Sequence, residues 1–386
     1  MGESLNLLAA SYADFRREAE RRLPRFLFDY IDGGAGAEQT LAANTAAWST
    51  SVLRQRVLVD VGDVATTARL LGESCAQPLV LAPIGLAGLM ARRGEVQTVR
   101  AAHASGVPFT LSTVGLCGLD EVAAASTTPF WFQLYWLRDR GLVQALLARA
   151  QAAGCRTLVF TVDLPMPGLR HRDSRNGMAT PGWRPKLLKA MQVLARPRWI
   201  WDVALRGRPL RLGSLDAHVP SARDLDAFRR FIDAQFDPTV TWADLAWLRA
   251  RWPGRIVLKG LLDADDARQA VDAGADAVVV SNHGGRQLDG AAATATALPN
   301  IVAAVGERTT VLVDGGVRSG VDVFRALALG AHGVMIGRPW IFALAAGGEA
   351  LLASTLARWQ RELATTMALT GVTRIADIGP QHLDPV

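Results

Sequence analysis

The sequence predicts an α/β fold, a (β/α)8 TIM barrel with an N-terminal helical extension and a long insertion after the fourth strand. Three observations carry this: eight short apolar runs recur between Leu79 and Ile336, helical stretches separate them, and polar side chains follow nearly every run. Buried parallel strands alternating with helices produce this pattern, and a barrel collects its working residues just past the C-terminal ends of its strands. A doubly wound open sheet is the alternative. No Gly-x-Gly-x-x-Gly follows the first strand to support it.

At the N-terminus, Ser11 with Asp14 reads as a capping box that opens a helix over Phe15–Leu23, and Pro24 stops it. A second short helix is expected over Phe26–Ile31, ahead of Gly33-Gly34. Tyr30 there could lean over a site or simply pack in the core. The eight strands are expected at Leu79–Ala82, Val107–Leu111, Phe130–Leu134, Thr157–Val162, Arg255–Leu258, Asp276–Val280, Thr310–Val313 and Gly333–Ile336. Among the connections, Arg140–Ala153, Asp263–Ala273 and Ser319–Leu329 read as helices, the last two opening with Asp or Ser and closing before Gly.

Between the fourth and fifth strands, Asp163–Pro253 is too long for a barrel loop and must hold inserted structure. Its second half reads as two capped amphipathic helices, Ser221–Phe236 and Thr241–Trp252. The first half differs. Pro181–Gly213 carries eight Arg/Lys against the single acid Asp202, a net +7, so the rest of the chain holds −1 of the total +6. Basic character this local argues against a nucleic-acid partner. Trp183, Trp199 and Trp201 alternate there with Leu187, Leu188, Met191 and Leu194, the composition of a segment lying in a lipid headgroup region. A solvated basic excursion or an oligomer contact is the other reading. The chain is thus expected to be one domain, residues 1–386, with 177–215 as an inserted candidate membrane-surface anchor.

A hydrophobic fraction of 50% and a charged fraction of 20% exclude a disordered chain. Cys75, Cys117 and Cys155 are scattered, in neither disulfide nor metal-ligand spacing, which points to a reducing cytoplasm and to no metal site. No basic start leads into an apolar core, and no apolar run reaches about 18 residues, so neither secretion nor a membrane span is expected.

The chemistry concentrates in Ser281–Asp289, directly after the sixth strand. His283 can take a proton near neutral pH, and Arg286 can hold an anion with a planar fork of donors. Other strand ends supply Pro83, Ile84 and Gly85, then Ser112, Gln133 with Tyr135, Thr161 with Asp163, and Lys259. Asp163 could orient His283 and stabilise its imidazolium. Lys259 could form a Schiff base, as in barrel lyases and aldolases, or stay charged beside an electron-rich cofactor. Arg170 is a second anion clamp or one of a surface run. Asp314-Gly315-Gly316-Val317-Arg318 after the seventh strand and Gly337-Arg338 after the eighth offer backbone N–H groups and cations where this fold commonly binds phosphate. A phosphate-bearing ligand is expected.

These motifs, with Phe132-Gln133-Leu134-Tyr135, Thr161-Val162-Asp163 and Lys259-Gly260, resemble the FMN-dependent L-2-hydroxy acid dehydrogenase and oxidase family over about Tyr12–Ile378. Among its members the likeness is greatest to those of the (S)-mandelate and L-lactate dehydrogenase type. The resemblance implies that His283 is the base and Asp163 its partner. Arg170, Arg286 and Tyr30 would hold the substrate carboxylate, and Tyr135 would bond near the reacting hydroxyl. It implies FMN across the barrel mouth, contacted by Pro83, Ile84, Gly85, Ser112, Gln133, Thr161, Lys259, Ser281, Asp314 and Gly315, with its phosphate held by Gly316, Arg318, Gly337 and Arg338. A homo-tetramer is implied as well.

Two departures bear on substrate and acceptor. Val114 stands where glycolate oxidases carry tryptophan, and Gly85 is similar to the dehydrogenase members, where oxidases more often have alanine. Pro197-Arg198-Trp199 in the insert resembles the membrane-binding segment of bacterial mandelate dehydrogenases. The expected activity is therefore oxidation of an L-2-hydroxy acid to the 2-keto acid, an aromatic acid such as (S)-mandelate being favoured over lactate. Electrons would pass to a quinone or another carrier, on a protein peripheral to the inner face of the cell membrane. The alternatives are a soluble oxidase that consumes O2 and releases H2O2, a Lys259 Schiff-base lyase, and a non-catalytic binder of a phosphate ligand or lipid surface.

Overall fold

The computed structural model describes residues 9–178, 180, 182–207, 213–215, 231 and 234–384. A small antiparallel hairpin, β1 (Ala68–Leu70) and β2 (Glu73–Cys75), precedes eight parallel strands. These are β3 (Leu79–Leu81), β4 (Thr110–Ser112), β5 (Trp131–Tyr135), β6 (Thr157–Thr161), β7 (Arg255–Leu261), β8 (Ala277–Val280), β9 (Thr310–Val313) and β10 (Gly333–Ile336). Each pairs with its sequence neighbour, β10 pairs with β3, and a parallel bridge between Leu81 and Phe109 joins β3 to β4. The barrel is closed. All eight expected strands are present, most of them shifted by no more than a residue at their ends, with β4 starting three residues later than expected at Thr110 and β7 running on to Leu261.

The strands are short because each is buried on both faces. Val80, Trp131, Val159, Val257, Val279, Leu312 and Met335 fill the barrel interior, and the hairpin residues Leu70 and Leu71 plug its N-terminal end. The alternate strand residues Phe132, Leu134, Phe160, Leu258, Val278 and Val280 pack outward against the helices. This double burial is why the strands read as continuous apolar runs.

The N-terminal extension forms α1 (Tyr12–Arg22), α2 (Arg25–Asp32) and α3 (Gln39–Ser49). Ser11 and Asp14 make the expected capping box, a device worth about 1 kcal/mol. After α4 (Gly94–Ala104) and α5 (Leu119–Ala124), the expected helices following Asp139 (α6, Arg140–Ala152), Asp263 and Ser319 are also present, each capped by that residue's side chain. The final helix, Arg338–Leu369, is long and apolar enough to cross a membrane by length and composition. It is instead a core element: Trp340, Ile341, Phe342, Leu352, Leu356 and Leu363 are buried, and it packs on α1, α4 and the Gly320–Ala328 helix.

The insertion after β6 begins with α7 (His171–Arg175) and continues as α8 (Trp183–Leu194), Pro197–Trp199 and a wider turn over Ile200–Leu205. The helix expected over Ser221–Phe236 lies largely outside the described residues. The one expected after Thr241 is found at Trp242–Arg249, with its own capping box. No residue of α8 is buried, and Trp183, Leu194 and Trp201 are 70%, 73% and 60% exposed. Trp199 departs from the expected surface role. It is buried, and its indole Nε1 donates to the Leu89 carbonyl at 2.8 Å, so it anchors the insert to the barrel. Gln192 and Arg196 complete the docking: Phe26 N donates to Gln192 Oε1 at 2.7 Å, and Arg196 Nε donates to Leu23 O at 3.0 Å.

Candidate active site

One large cavity of about 640 Å³ opens at the C-terminal face of the barrel. Its lining includes Tyr30, Pro83, Ile84, Gly85, Tyr135 and Thr161 on one part, and Arg170, Lys259, His283, Arg286, Arg318 and Arg338 on another. Asp314, Gly315, Gly316 and Gly337 line it too. Ser112, Gln133, Asp163 and Ser281 stand one layer deeper and position those that reach the surface. The fold thus brings all of the expected site residues to one mouth.

His283 Nδ1 lies 2.9 Å from Asp163 Oδ1. With the carboxylate accepting, Nδ1 carries the proton and Nε2 is left as the basic nitrogen. Burial by itself would raise the Asp163 pKa. The charge and hydrogen bond of His283, with the Lys259 ammonium, outweigh it and hold the carboxyl below its ordinary value. His283 has φ 57°, a left-handed conformation uncommon for a non-glycine residue and a form of strain that collects at functional sites. Its own N–H donates to Ser281 Oγ at 3.1 Å, and the neighbouring Asn282 exchanges reciprocal 2.8 Å bonds with Asn44 on α3. Asn44 was not singled out from sequence. Its partner lies 238 residues away, and only the tertiary contact marks it.

Lys259 Nζ lies 2.7 Å from both Asp314 Oδ2 and Ser281 Oγ. Burial pulls its pKa down, but the charges of Asp314 and Asp163 more than reverse this, so the amine stays an ammonium. An ammonium is not a nucleophile. The Schiff-base alternative therefore loses its chemical basis.

Four arginines crowd the same cavity. Arg286 Nη1 donates to Tyr30 O at 2.5 Å and Gly33 O at 3.0 Å, with its guanidinium over the Tyr30 ring. Arg338 donates to the carbonyls of Ile31, Gly284 and Gly33, and Arg318 lies over the Tyr12 ring. Burial, with Arg286 beside each, pulls the pKa values of Arg170 and Arg338 down. Among the described residues no carboxylate pairs with Arg286, Arg318 or Arg338, and the Asp173 carboxylate stands 3.8 Å from Arg170. Arg338 is buried and the other three are half-buried, and cations held this way by neutral carbonyls are arranged to receive anions.

The cavity also fits a flavin mononucleotide. Gln133 Oε1 accepts from Ser112 Oγ and Thr113 N, which leaves Gln133 Nε2 buried without a partner, as are Thr161 Oγ1 and Asp314 Oδ1. Other buried polar atoms elsewhere in the fold are unpaired too, but these three stand together around one mouth, where a ligand's polar groups would complete them. Gly316, at φ 81°, abuts the Asn44 carbonyl so closely that a Cβ would lie 1.9 Å from it. Gly337 is the opposite case: a Cβ there would meet nothing nearer than Ile84 at 3.8 Å, so the strand end is kept bare toward open space. These glycines and the start of the Arg338–Leu369 helix form an anion cradle at the expected phosphate end.

Several lining residues were not foreseen: Leu86, Leu164, Leu169, Met178 and Phe236. They are apolar residues of loops, where no periodicity distinguishes a pocket wall from core. Arg172 was also missed. It bridges Asp32 (2.7 Å) and Glu38 (2.5 Å), tying the end of α2 to α7.

Fold and site together define a flavin-dependent barrel oxidoreductase with a histidine–aspartate pair and four arginines at its mouth. Residues 19–385 match the FMN-dependent dehydrogenase family, and the chain belongs to it. An L-lactate dehydrogenase of Caulobacter vibrioides is 55% identical over 372 residues, 96% of this chain and 97% of that protein. One from Pectobacterium atrosepticum is 50% identical over 377 residues, 98% and 97% of the two chains. Among solved structures, the monotopic membrane protein (S)-mandelate dehydrogenase superposes with a TM-score of 0.90 at 33% identity, covering 97% of this chain and 98% of that one. A mandelate oxidase gives 0.82 at 38% identity, with 98% of both chains covered. The chain is thus an FMN-dependent oxidoreductase of L-2-hydroxy acids, as the sequence led us to expect.

Proposed function

We propose that this protein oxidises L-lactate to the 2-keto acid and passes the electrons to a membrane quinone or a comparable carrier rather than to oxygen. The observation that carries the reading is the half-buried pair Arg170 and Arg286 beside the His283–Asp163 dyad in one cavity. Two arginines neutralise one carboxylate, with Tyr30 closing over it, and this fixes the α-carbon next to His283 Nε2. His283 takes a substrate proton there, and Asp163 stabilises the imidazolium that results. Tyr135 bonds near the reacting oxygen. FMN supplies the two-electron acceptor chemistry, with Lys259 as the cation beside its ring and Gly316, Arg318, Gly337 and Arg338 around its phosphate.

The choice of lactate rests on the relatives: those near half identity are L-lactate dehydrogenases, whereas the mandelate enzymes are 33% and 38% identical. (S)-Mandelate is the second reading, favoured by the mandelate enzymes among the similar structures. A panel of L-2-hydroxy acids added to the yellow protein without oxygen tests both. Bleaching by L-lactate in preference to mandelate supports the proposal. Colourless protein that cannot be reconstituted with FMN, or no bleaching by any of these acids, overturns it. Oxygen consumption matching dye reduction would instead identify an oxidase.

The exposed apolar face of α8 and the basic residues around it fit peripheral attachment to the cytoplasmic face of a membrane. The monotopic nature of the mandelate dehydrogenase neighbour supports this. Flotation with anionic liposomes, comparing the full chain with one lacking 177–215, decides it: equal flotation of the two removes the anchor. Assembly as a homo-tetramer belongs to the same proposal and is checked by sedimentation.

A further inference from the structure

We infer that Phe236 determines substrate specificity, setting the upper size of the side chain that the 2-hydroxy acid can carry. This rests on the 2-hydroxy acid reading above and adds the residue that tunes it. Phe236 comes from the far end of the insertion, 101 positions after Tyr135. It is held by an antiparallel bridge to Leu137 and by the Arg138 N–H donating to Gln235 O at 2.8 Å. Its backbone is therefore tied to the chain that leaves β5, and its ring has a fixed origin.

That ring is buried and lines the cavity. It meets Tyr135 edge to face, with centroids 5.5 Å apart and planes at 80°, a favoured aromatic geometry. Burial and the nearby Asp163 and Tyr30 raise the Tyr135 pKa, while Arg170 and Arg286 oppose that shift. The tyrosine thus stands among the dyad and the clamp, and Phe236 occupies the space beside it.

The cavity wall at Gly85 leaves no comparable latitude. A Cβ on Gly85 would lie 2.5 Å from Val114 Cγ2, so valine already fills the gap that the glycine leaves. Room for a larger substrate must come from elsewhere. Removing the Phe236 ring frees a space of the size and shape of a phenyl group, whereas Leu164 and Met178 would free only narrower, less planar ones. An α-hydroxy acid with a methyl group fits beside Phe236, and one with a phenyl group competes with it.

The test compares the parent with F236A and F236W by anaerobic flavin bleaching with L-lactate and (S)-mandelate, all three loaded with FMN. In F236A the ratio of kcat/KM for mandelate to that for lactate should rise about 10-fold or more, the scale on which pocket volume discriminates. In F236W the ratio should fall, with lactate turnover within a few-fold of the parent. Unchanged ratios in the flavin-loaded variants overturn the assignment, as does a parent that already prefers mandelate. Should F236A fail to retain flavin, F236W alone decides, because an unchanged ratio there is sufficient to refute it. If even the parent is bleached by no 2-hydroxy acid, the failure lies in the proposed function beneath.

Discussion

His283 Nδ1 and Asp163 Oδ1 are 2.9 Å apart although 120 residues separate them in the chain. The contact leaves Nε2 as the nitrogen that would act as the proposed base. Asp163→Asn would keep the shape but lose the charge and permit the wrong tautomer. The rate of flavin bleaching should fall about 10²- to 10⁴-fold, with FMN still bound. Stopped-flow measurement with excess L-lactate checks this. A loss under about 3-fold would show that Asp163 does not support the base.

Lys259 is the counter-charge of two buried carboxylates, Asp314 and Asp163. Lys259→Met leaves both without it, a change expected to cost about 3 kcal/mol near pH 8. Losing the cation leaves burial, the largest influence on Asp163, less opposed, so the folded-state pKa of that carboxyl is expected to rise above its unfolded value. The folded variant then binds more protons than the unfolded chain, so its stability improves as pH falls toward 5. In the parent the sign is opposite: Asp163 is held low, and the stability it contributes is lost as pH falls through that lowered value. Urea unfolding of both proteins at pH 8 and pH 5 measures the contrast, and a pH-independent difference would contradict it.

Gly168 lets the loop after β6 pass directly over Arg286. A Cβ at 168 would lie 2.3 Å from the Arg286 carbonyl and 2.7 Å from that of Gln287. Gly168→Ala should therefore push the two clamp arginines apart. Because the clamp binds the ground-state carboxylate as well as the transition state, KM for L-lactate should rise about 10-fold or more with a smaller change in kcat. Steady-state kinetics with an artificial dye separate the two, and an unchanged KM would show that the loop can yield.

Arg172 joins α2 and α7 through Asp32, which Arg16 also holds with two 2.7 Å bonds. Burial opposes the ionised Asp32, but these arginines keep its pKa below the ordinary value. Arg172→Met should destabilise the fold by about 1–3 kcal/mol, since Asp32 and Glu38 lose a partly buried donor. It should also raise KM, because the carbonyls of Tyr30 and Gly33 that hold Arg286 belong to the same turn. Arg172→Lys should recover part of the stability. Thermal melts and lactate titrations read both effects.

The barrel, its eight strands and most of the chemistry at their ends could be read in the chain because short-range physics writes them there. Double burial gives apolar runs, caps give Ser and Asp at helix starts, and anion loops give paired glycines. A single segment, Ser281–Asp289, contained both the proposed base His283 and the proposed clamp Arg286. What the sequence by itself determined was which residues sit at strand ends, and hence which chemistry the mouth offers.

Tertiary structure decided which of them touch. It set Lys259 between Asp314 and Ser281, which keeps the amine charged, and it buried Trp199 against Leu89 while Trp183 and Trp201 stayed exposed. It also brought Phe236 onto Tyr135, from beyond an insertion whose length hides any relation between them. The physical reason is common to all three. Charge state, burial and pocket width depend on distances between residues far apart in the chain, and local periodicity has no access to them.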